Sequence, residues 1–199
     1  FRNRLIVPIH DMQGRVVAFG GRSLDGQEPK YLNSPESEIF EKGKMLFAFE
    51  KASSDIRKRD KAIIVEGYFD VISLHSKGIT NSVASLGTAL NKYQISQLCR
   101  CTDNKNIILN FDSDNAGILA TKRVIKEVET LSLHDQINLK ILQLSHFKDP
   151  DEYLNSHTPE DYFNLIDNSS FWIDWEIDQI FKDQDLTKSE IFQSVISSL

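Results

Sequence analysis

The chain has 199 residues, 40% of them hydrophobic and 26% charged, with a net charge of −6. That length allows one well-buried core, the balance is that of an ordinary globular protein, and no apolar run nears the roughly 18 residues needed to cross a bilayer. The two cysteines, Cys99 and Cys101, stand too close together for a disulfide framework and too few for a cysteine zinc site, which points to a reducing cytoplasm.

The charge is unevenly spread. Residues 1–61 carry twelve Lys and Arg against nine Asp and Glu, a balance of +3, and the remainder carries eleven against twenty, a balance of −9. A basic front joined to an acidic back suits a protein that holds polyanions on one side and cations on the other. A chance unevenness of composition explains the same counts. The chain opens on Phe1 and enters a strand pattern almost at once, so the expectation is a piece excised from a longer protein.

Leu5–Ile9 and Arg15–Phe19 read as a hairpin, joined by the turn Asp11-Met-Gln-Gly14. Pro8 places the first strand at an edge or at a bulge. Residues 25–43 read as one long polar connection, a length that is usually functional or disordered. It holds Lys30, Tyr31, Asn33 and Lys42, which could contact phosphates and stack on a base. It could equally be a surface loop whose Tyr31 packs down on the core. Lys44 to Ile56 has helical spacing.

From Lys61 onward strands and helices alternate. Ala62–Val65 is a strand of four apolar residues, as expected where both faces are covered. A helix over about 70–77 follows, then a strand at Ser82–Ser85, a helix at Asn91–Arg100, a strand at Asn106–Phe111, a helix at Asn115–Leu131 and a strand at Ile137–Leu144. Such units imply parallel pairing through right-handed crossovers. Beyond them, Thr158 reads as the cap of a helix with Pro159 in its first position. Apolar residues continue at helical spacing to Phe181, and a second capping pattern stands at Thr187-Lys-Ser-Glu190. This part reads as a helical appendage cut short, with its two tryptophans in a core.

The chemistry lies where strands end, the place at which open α/β sheets bind ligands. Glu66 and Asp70 follow the first strand of the alternating region, Asp112 and Asp114 the third, and Asp149 and Asp151 the fourth. Like charges about 4 Å apart cost roughly 4 kcal/mol at an effective dielectric of 20, a repulsion that protons or bound metals relieve. Mg²⁺ suits hard oxygen ligands shared with phosphates, and two such ions can serve an in-line displacement at phosphorus. The plain alternatives stay open: Asp114 as a helix cap, and Asp149 and Asp151 as a turn around Pro150. Glu66, straight after Ile-Ile-Val, is the hardest to explain without a partner.

These words resemble a known family. Val65-Glu-Gly-Tyr-Phe-Asp70, Ala84-Ser-Leu-Gly-Thr88, Phe111-Asp-Ser-Asp-Asn-Ala-Gly117 and Lys148-Asp-Pro-Asp151 are similar to the Toprim domain of the bacterial DnaG-type primases. Phe19-Gly-Gly-Arg22, Pro29-Lys-Tyr-Leu-Asn-Ser-Pro-Glu36 and Phe40-Glu-Lys-Gly43 resemble the region before it. The likeness covers about residues 1–155. Phe69 stands where Met is common and Ser113 where Gly is common.

The resemblance implies an α/β fold: a Toprim-type parallel sheet flanked by helices (61–155), preceded by the C-terminal part of a small basic α/β subdomain (1–60) and followed by a helical subdomain (156–199). It implies cytoplasmic synthesis of short RNA primers on single-stranded DNA from ribonucleoside triphosphates, with Mg²⁺ or Mn²⁺. Glu66, Asp112 and Asp114 would be the catalytic metal-binding acids, completed by Asp70, Asp149 and Asp151. Arg22, Lys30, Tyr31, Asn33 and Lys42 would hold nucleotide or template. Zinc and the replicative helicase would be bound by separate domains outside this chain, and no membrane is involved. The alternative is a Toprim-type metal-dependent nuclease.

Overall fold

A computed structural model describes residues 1–131, 136–144 and 146–181. Two sheets organise it. The first is antiparallel and has the order β1 (Arg4–His10), β2 (Val16–Ser23) and β3 (Tyr31–Asn33). The β1–β2 turn is held by Asp11, whose carboxylate accepts from the backbone N–H of Gln13 and Arg15. Pro8 lies on the edge strand β1, and a bulge follows at Ile9/His10, so both of its expected causes are present.

The third strand lies inside the stretch expected to be an open connection. It is only three residues long and mostly exposed, so no apolar alternation announces it. Its pairing sets Tyr31 opposite Arg22 and Asn33 opposite Gly20, which fixes three site candidates, Arg22, Tyr31 and Asn33, relative to one another.

The helix expected from Lys44 starts later, as α1 (Phe49–Arg59). Before it come a 3-10 turn at Lys42–Lys44 and an extended link. The Phe47 N–H is spent on the carbonyl of Ala84 at 2.8 Å, and Ala48 adopts a left-handed conformation with φ +61°. A tertiary bond thus overrides local helical spacing and ties the front of the chain to the second sheet.

That second sheet has the order β5-β4-β6-β7-β8. It comprises β4 (Ala62–Val65), β5 (Ser82–Ala84), β6 (Asn106–Asn110), β7 (Asn138–Ile141) and β8 (Ser170–Phe171). The pairs among β4–β7 are parallel, and β8 runs antiparallel to β7. Crossovers run through α2 (Tyr68–Ser76), α3 (Lys92–Cys99) and α4 (Asn115–Glu129). All four residues of β4 are fully buried. Ala62 and Ile64 enter the core packed by α1, α3 and α4, while Ile63 and Val65 enter the one shared with α2 and the first sheet, as alternating side chains must. Truncating Ile63 or Ile64 to Ala would cost about 2–5 kcal/mol.

After α5 (Pro150–Leu154), Thr158 caps α6 (Pro159–Asp167) and forms a capping box with Asp161. The run read as continuously helical is broken by β8 before α7 (Trp172–Phe181). Trp175 is buried in the core and Trp172 packs against it. The second expected helix, at Thr187–Glu190, lies outside the described residues. Among the described residues, no helix is long and apolar enough to cross a membrane.

Candidate active site

The C-terminal ends of β4, β6 and β7 open onto one cleft of about 340 Å³. Its acidic wall is built from local structure. Glu66 follows β4 directly, and its Oε1 accepts from the Asp112 N–H at 3.1 Å, so two strand ends are stitched by a carboxylate. Asp70 lies in the first turn of α2, where its Oδ2 accepts from the Gly67 N–H at 3.1 Å. Asp149 caps α5 through the Glu152 N–H at 2.9 Å. Asp151 accepts from the Ser73 hydroxyl at 2.7 Å and ties α5 to α2. Glu66, Asp70, Asp112, Asp149 and Asp151 all line the cleft.

Asp114 does not. It caps α4, its Oδ1 accepting from the Gly117 N–H at 2.9 Å. That helix start is close-packed: a Cβ at Gly117 would stand 1.9 Å from the Asp112 carbonyl oxygen and 2.9 Å from Glu66 Oε1. Gly117 is therefore what lets α4 begin against the two acids. The capping reading of Asp114 and Asp149 and the functional one are compatible, because a cap uses one carboxylate oxygen and leaves the other.

The opposite wall comes from the first sheet: Arg22, Lys30, Tyr31 and Asn33. The Arg22 guanidinium lies 4.9 Å from the centre of the Phe69 ring, within cation–π range. Tyr31 meets Tyr68 edge-on at 5.7 Å. Asn33 donates from Nδ2 to the Leu86 carbonyl at 3.0 Å, while its Oδ1 and the Tyr68 hydroxyl are buried without a partner. Lys42 does not line this cleft. It sits in the 3-10 turn, its N–H given to Glu36 and its carbonyl accepting from Gln94.

Asp70, Glu66 and Asp112 hold their protons more tightly than usual. Burial pushes Asp70 up to about 7, and Asp149 adds to it. Burial and then Asp112 raise Glu66. Burial raises Asp112 too, against the opposing pull of Lys148. Lys148 Nζ lies 3.7 Å from Asp112 Oδ2, and Asp112 in turn raises the ammonium's own affinity for its proton. Lys148 and Phe69 stand inside the family-like motifs without being site candidates on sequence grounds. Neither residue type by itself signals a site, and only their facing partners, Asp112 and Arg22, do so.

Two family models match the chain: a Toprim-like domain over residues 63–154, and the N-terminal domain of the DNA primase catalytic core over residues 1–53. The DNA primase of Synechococcus elongatus is 53% identical over 199 residues, covering 100% of this chain and 29% of the relative. The chain belongs to the bacterial DnaG-type DNA primase family. A DNA primase domain from Pseudomonas aeruginosa has a similar structure, with a TM-score of 0.87 at 35% identity, covering 100% of this chain and 61% of that one. A DnaG primase catalytic domain solved bound to single-stranded DNA gives 0.83 at 32% identity, with 100% and 63% covered. The chain thus spans under a third of the curated primase's length.

The Toprim domain and the primase family generally use divalent metal ions. The donors in this primase cleft fit a hard cation: they are carboxylate oxygens, and Glu66 and Asp70 hold their protons tightly through burial first and neighbouring acids second, both of which a bound cation would offset. Among the described residues, no three acidic, His or Cys side chains are grouped closely enough to hold an ion alone. Water and substrate phosphates would complete the shell, as is usual for Mg²⁺.

Proposed function

We propose that this chain forms the acidic centre and the nucleotide wall of a primase core that makes short RNA primers on a single-stranded DNA template. One observation carries the reading: five carboxylates from three strand ends face Arg22, Lys30, Tyr31 and Asn33 across a single cleft. A nucleoside triphosphate with its escorting cation matches that division of charge.

In this reading Glu66, Asp112 and Asp114 are the catalytic acids, and Asp70, Asp149 and Asp151 complete the cation-holding set. Mg²⁺ or Mn²⁺ held there would lower the pKa of the attacking hydroxyl and neutralise the triphosphate. Arg22 and Lys30 hold the phosphates, Tyr31 offers its ring to the base, and Asn33 supplies an unpaired acceptor. The primer's 3′-oxygen forms a bond to the α-phosphorus as the bond to the pyrophosphate oxygen breaks. The hydroxyl proton passes to water. Lys42, away from the cleft wall, belongs with the template strand. Residues 1–60, 61–155 and 156–199 are the corresponding folding units, with β8 the point where the third joins the sheet of the second. Contact with the replicative helicase falls to parts of the longer protein outside these residues, and the setting is the bacterial cytoplasm.

Glu66→Gln in the intact enzyme tests the assignment. The expected result is a loss of primer synthesis of about a hundredfold or more with an unchanged circular-dichroism spectrum. Undiminished primer yield would refute it. DNA shortened in place of RNA extended would favour the nuclease alternative.

A further inference from the structure

A second cavity of about 230 Å³ adjoins the first on the other side of the sheet. It lies between α4 and the loop that joins β5 to α3. Glu66, Ser85 and Gly87 line both cavities, so Glu66 stands as a partition between them. The two spaces differ in character. The first is faced by the aromatic and basic residues of the small sheet. The floor of the second is apolar, from Leu90, Phe111 and Val124, and its polar groups are Ser85, Thr88 and Arg123. Those three side chains make no hydrogen bond or ion pair among the described residues. Arg123 is exposed on α4, and Thr88 is exposed on the loop.

Nucleotidyl transfer needs two substrates on opposite sides of the reacting phosphorus, because the attacking and leaving oxygens lie in line. A cleft that takes the triphosphate leaves the acceptor strand to approach from across the acids. We propose that the second cavity receives the 3′-terminal nucleotide of the growing primer. Arg123 contacts the last backbone phosphate, Ser85 and Thr88 take sugar hydroxyls or a neighbouring phosphate, and the apolar floor lies under the sugar. The 3′-hydroxyl then emerges beside Glu66. An arginine with no internal partner, next to free hydroxyls, is the chemistry expected for phosphate and sugar contact. This inference rests on the primase reading and assigns the acceptor side of the same site.

The test uses the intact primase and a short RNA primer already annealed to a DNA template, extended by one nucleotide. Arg123 is exposed and unpaired, so Arg123→Ala leaves the fold in place. The expected result is a rise of about tenfold in KM for the annealed primer, with KM for the nucleotide unchanged. The dependence of log affinity on log salt should flatten by about one, and Arg123→Lys should restore most of the loss. An unchanged primer KM overturns the inference. So does an equal rise in both KM values, or an equal loss of affinity for template without primer. Glu66→Gln run beside it separates the two levels. If that variant stays active, the primase reading itself fails. If it is dead while Arg123→Ala is indifferent, only the acceptor site fails.

Discussion

Asp70 gives the sharpest test of the electrostatics. Its carboxyl is held by burial and by Asp149 at a pKa of about 7 in place of 3.8. At about 1.36 kcal/mol per pH unit the full difference is roughly 4 kcal/mol. Asp70 is only partly buried, and screening by water brings the usable figure to about 2 kcal/mol. The sign follows from proton counting. Between pH 4 and 7 the folded protein keeps a proton on Asp70 that the unfolded chain has released. Stability therefore falls as pH rises through that window. Asp70→Asn cannot ionise, and its side-chain oxygen still accepts from Gly67. In EDTA the variant should match the parent near pH 4 and exceed it at pH 8 by roughly 4–8 °C in Tm. Adding Mn²⁺ at pH 8 should narrow the gap, because a cation removes the repulsion in the parent. A Tm difference that is the same at both pH values would refute the reasoning, and so would a parent more stable at pH 8.

Other substitutions separate position from charge. Gly117→Ala should cost about 3 kcal/mol or more, since the Asp112 carbonyl blocks the added methyl, and Mn²⁺ binding measured by calorimetry should weaken with it. Asp114→Asn keeps the α4 cap, whereas Asp114→Ala loses it at about 1 kcal/mol. Both should abolish primer synthesis alike, and only the second should lower the urea midpoint. Tyr162→Phe strands the buried Asn110 Oδ1, which accepts from the Tyr162 hydroxyl at 2.7 Å. About 1–3 kcal/mol of stability should go, with KM for the nucleotide unmoved.

Much of this was legible in the sequence, for reasons that differ by element. β4 and β6 are runs of apolar residues covered on both faces, so the strands and the carboxylates after them follow from composition alone, although β6 ends at Asn110, one residue before the expected Phe111. The same holds for Thr158, whose capping box is local. β3, the late start of α1 and β8 were not legible. Each is set by a partner distant in the chain: Gly20–Arg22 for Tyr31–Asn33, Ala84 for Phe47, and Lys140–Ile141 for Ser170–Phe171. Tertiary pairing overrides weak local preference at such places. The candidate site divides the same way. The acids announce themselves by standing at strand ends, but only the fold shows Asp114 capping α4 within electrostatic reach of Glu66 and Asp112, leaves Lys42 off the cleft wall and brings Lys148 against Asp112.

The way the acids are held bears on how the centre would work. Glu66, Asp70, Asp114 and Asp149 each accept from a backbone N–H belonging to a strand end or a helix start. Their positions are thus set by the same bonds that define the secondary structure, and no separate scaffold is needed. Burying them, and to a lesser degree crowding them, costs stability, as the upward shifts of Glu66, Asp70 and Asp112 record. Lys148 offsets part of that cost from an adaptable perch. Its carbonyl accepts from Ser113 and its N–H is given to Glu152, while its side chain is 59% exposed. The main chain is fixed and the ammonium is able to swing. A cation entering beside Asp112 competes with that ammonium, so Lys148→Met should bind Mn²⁺ more tightly than the parent. If the displaced ammonium then meets the triphosphate, the same variant should bind nucleotide more weakly. Opposite changes in the two affinities, both read by calorimetry, would identify Lys148 as a charge handed from the protein's acids to the substrate. Parallel changes would mark it as an ordinary surface ion pair.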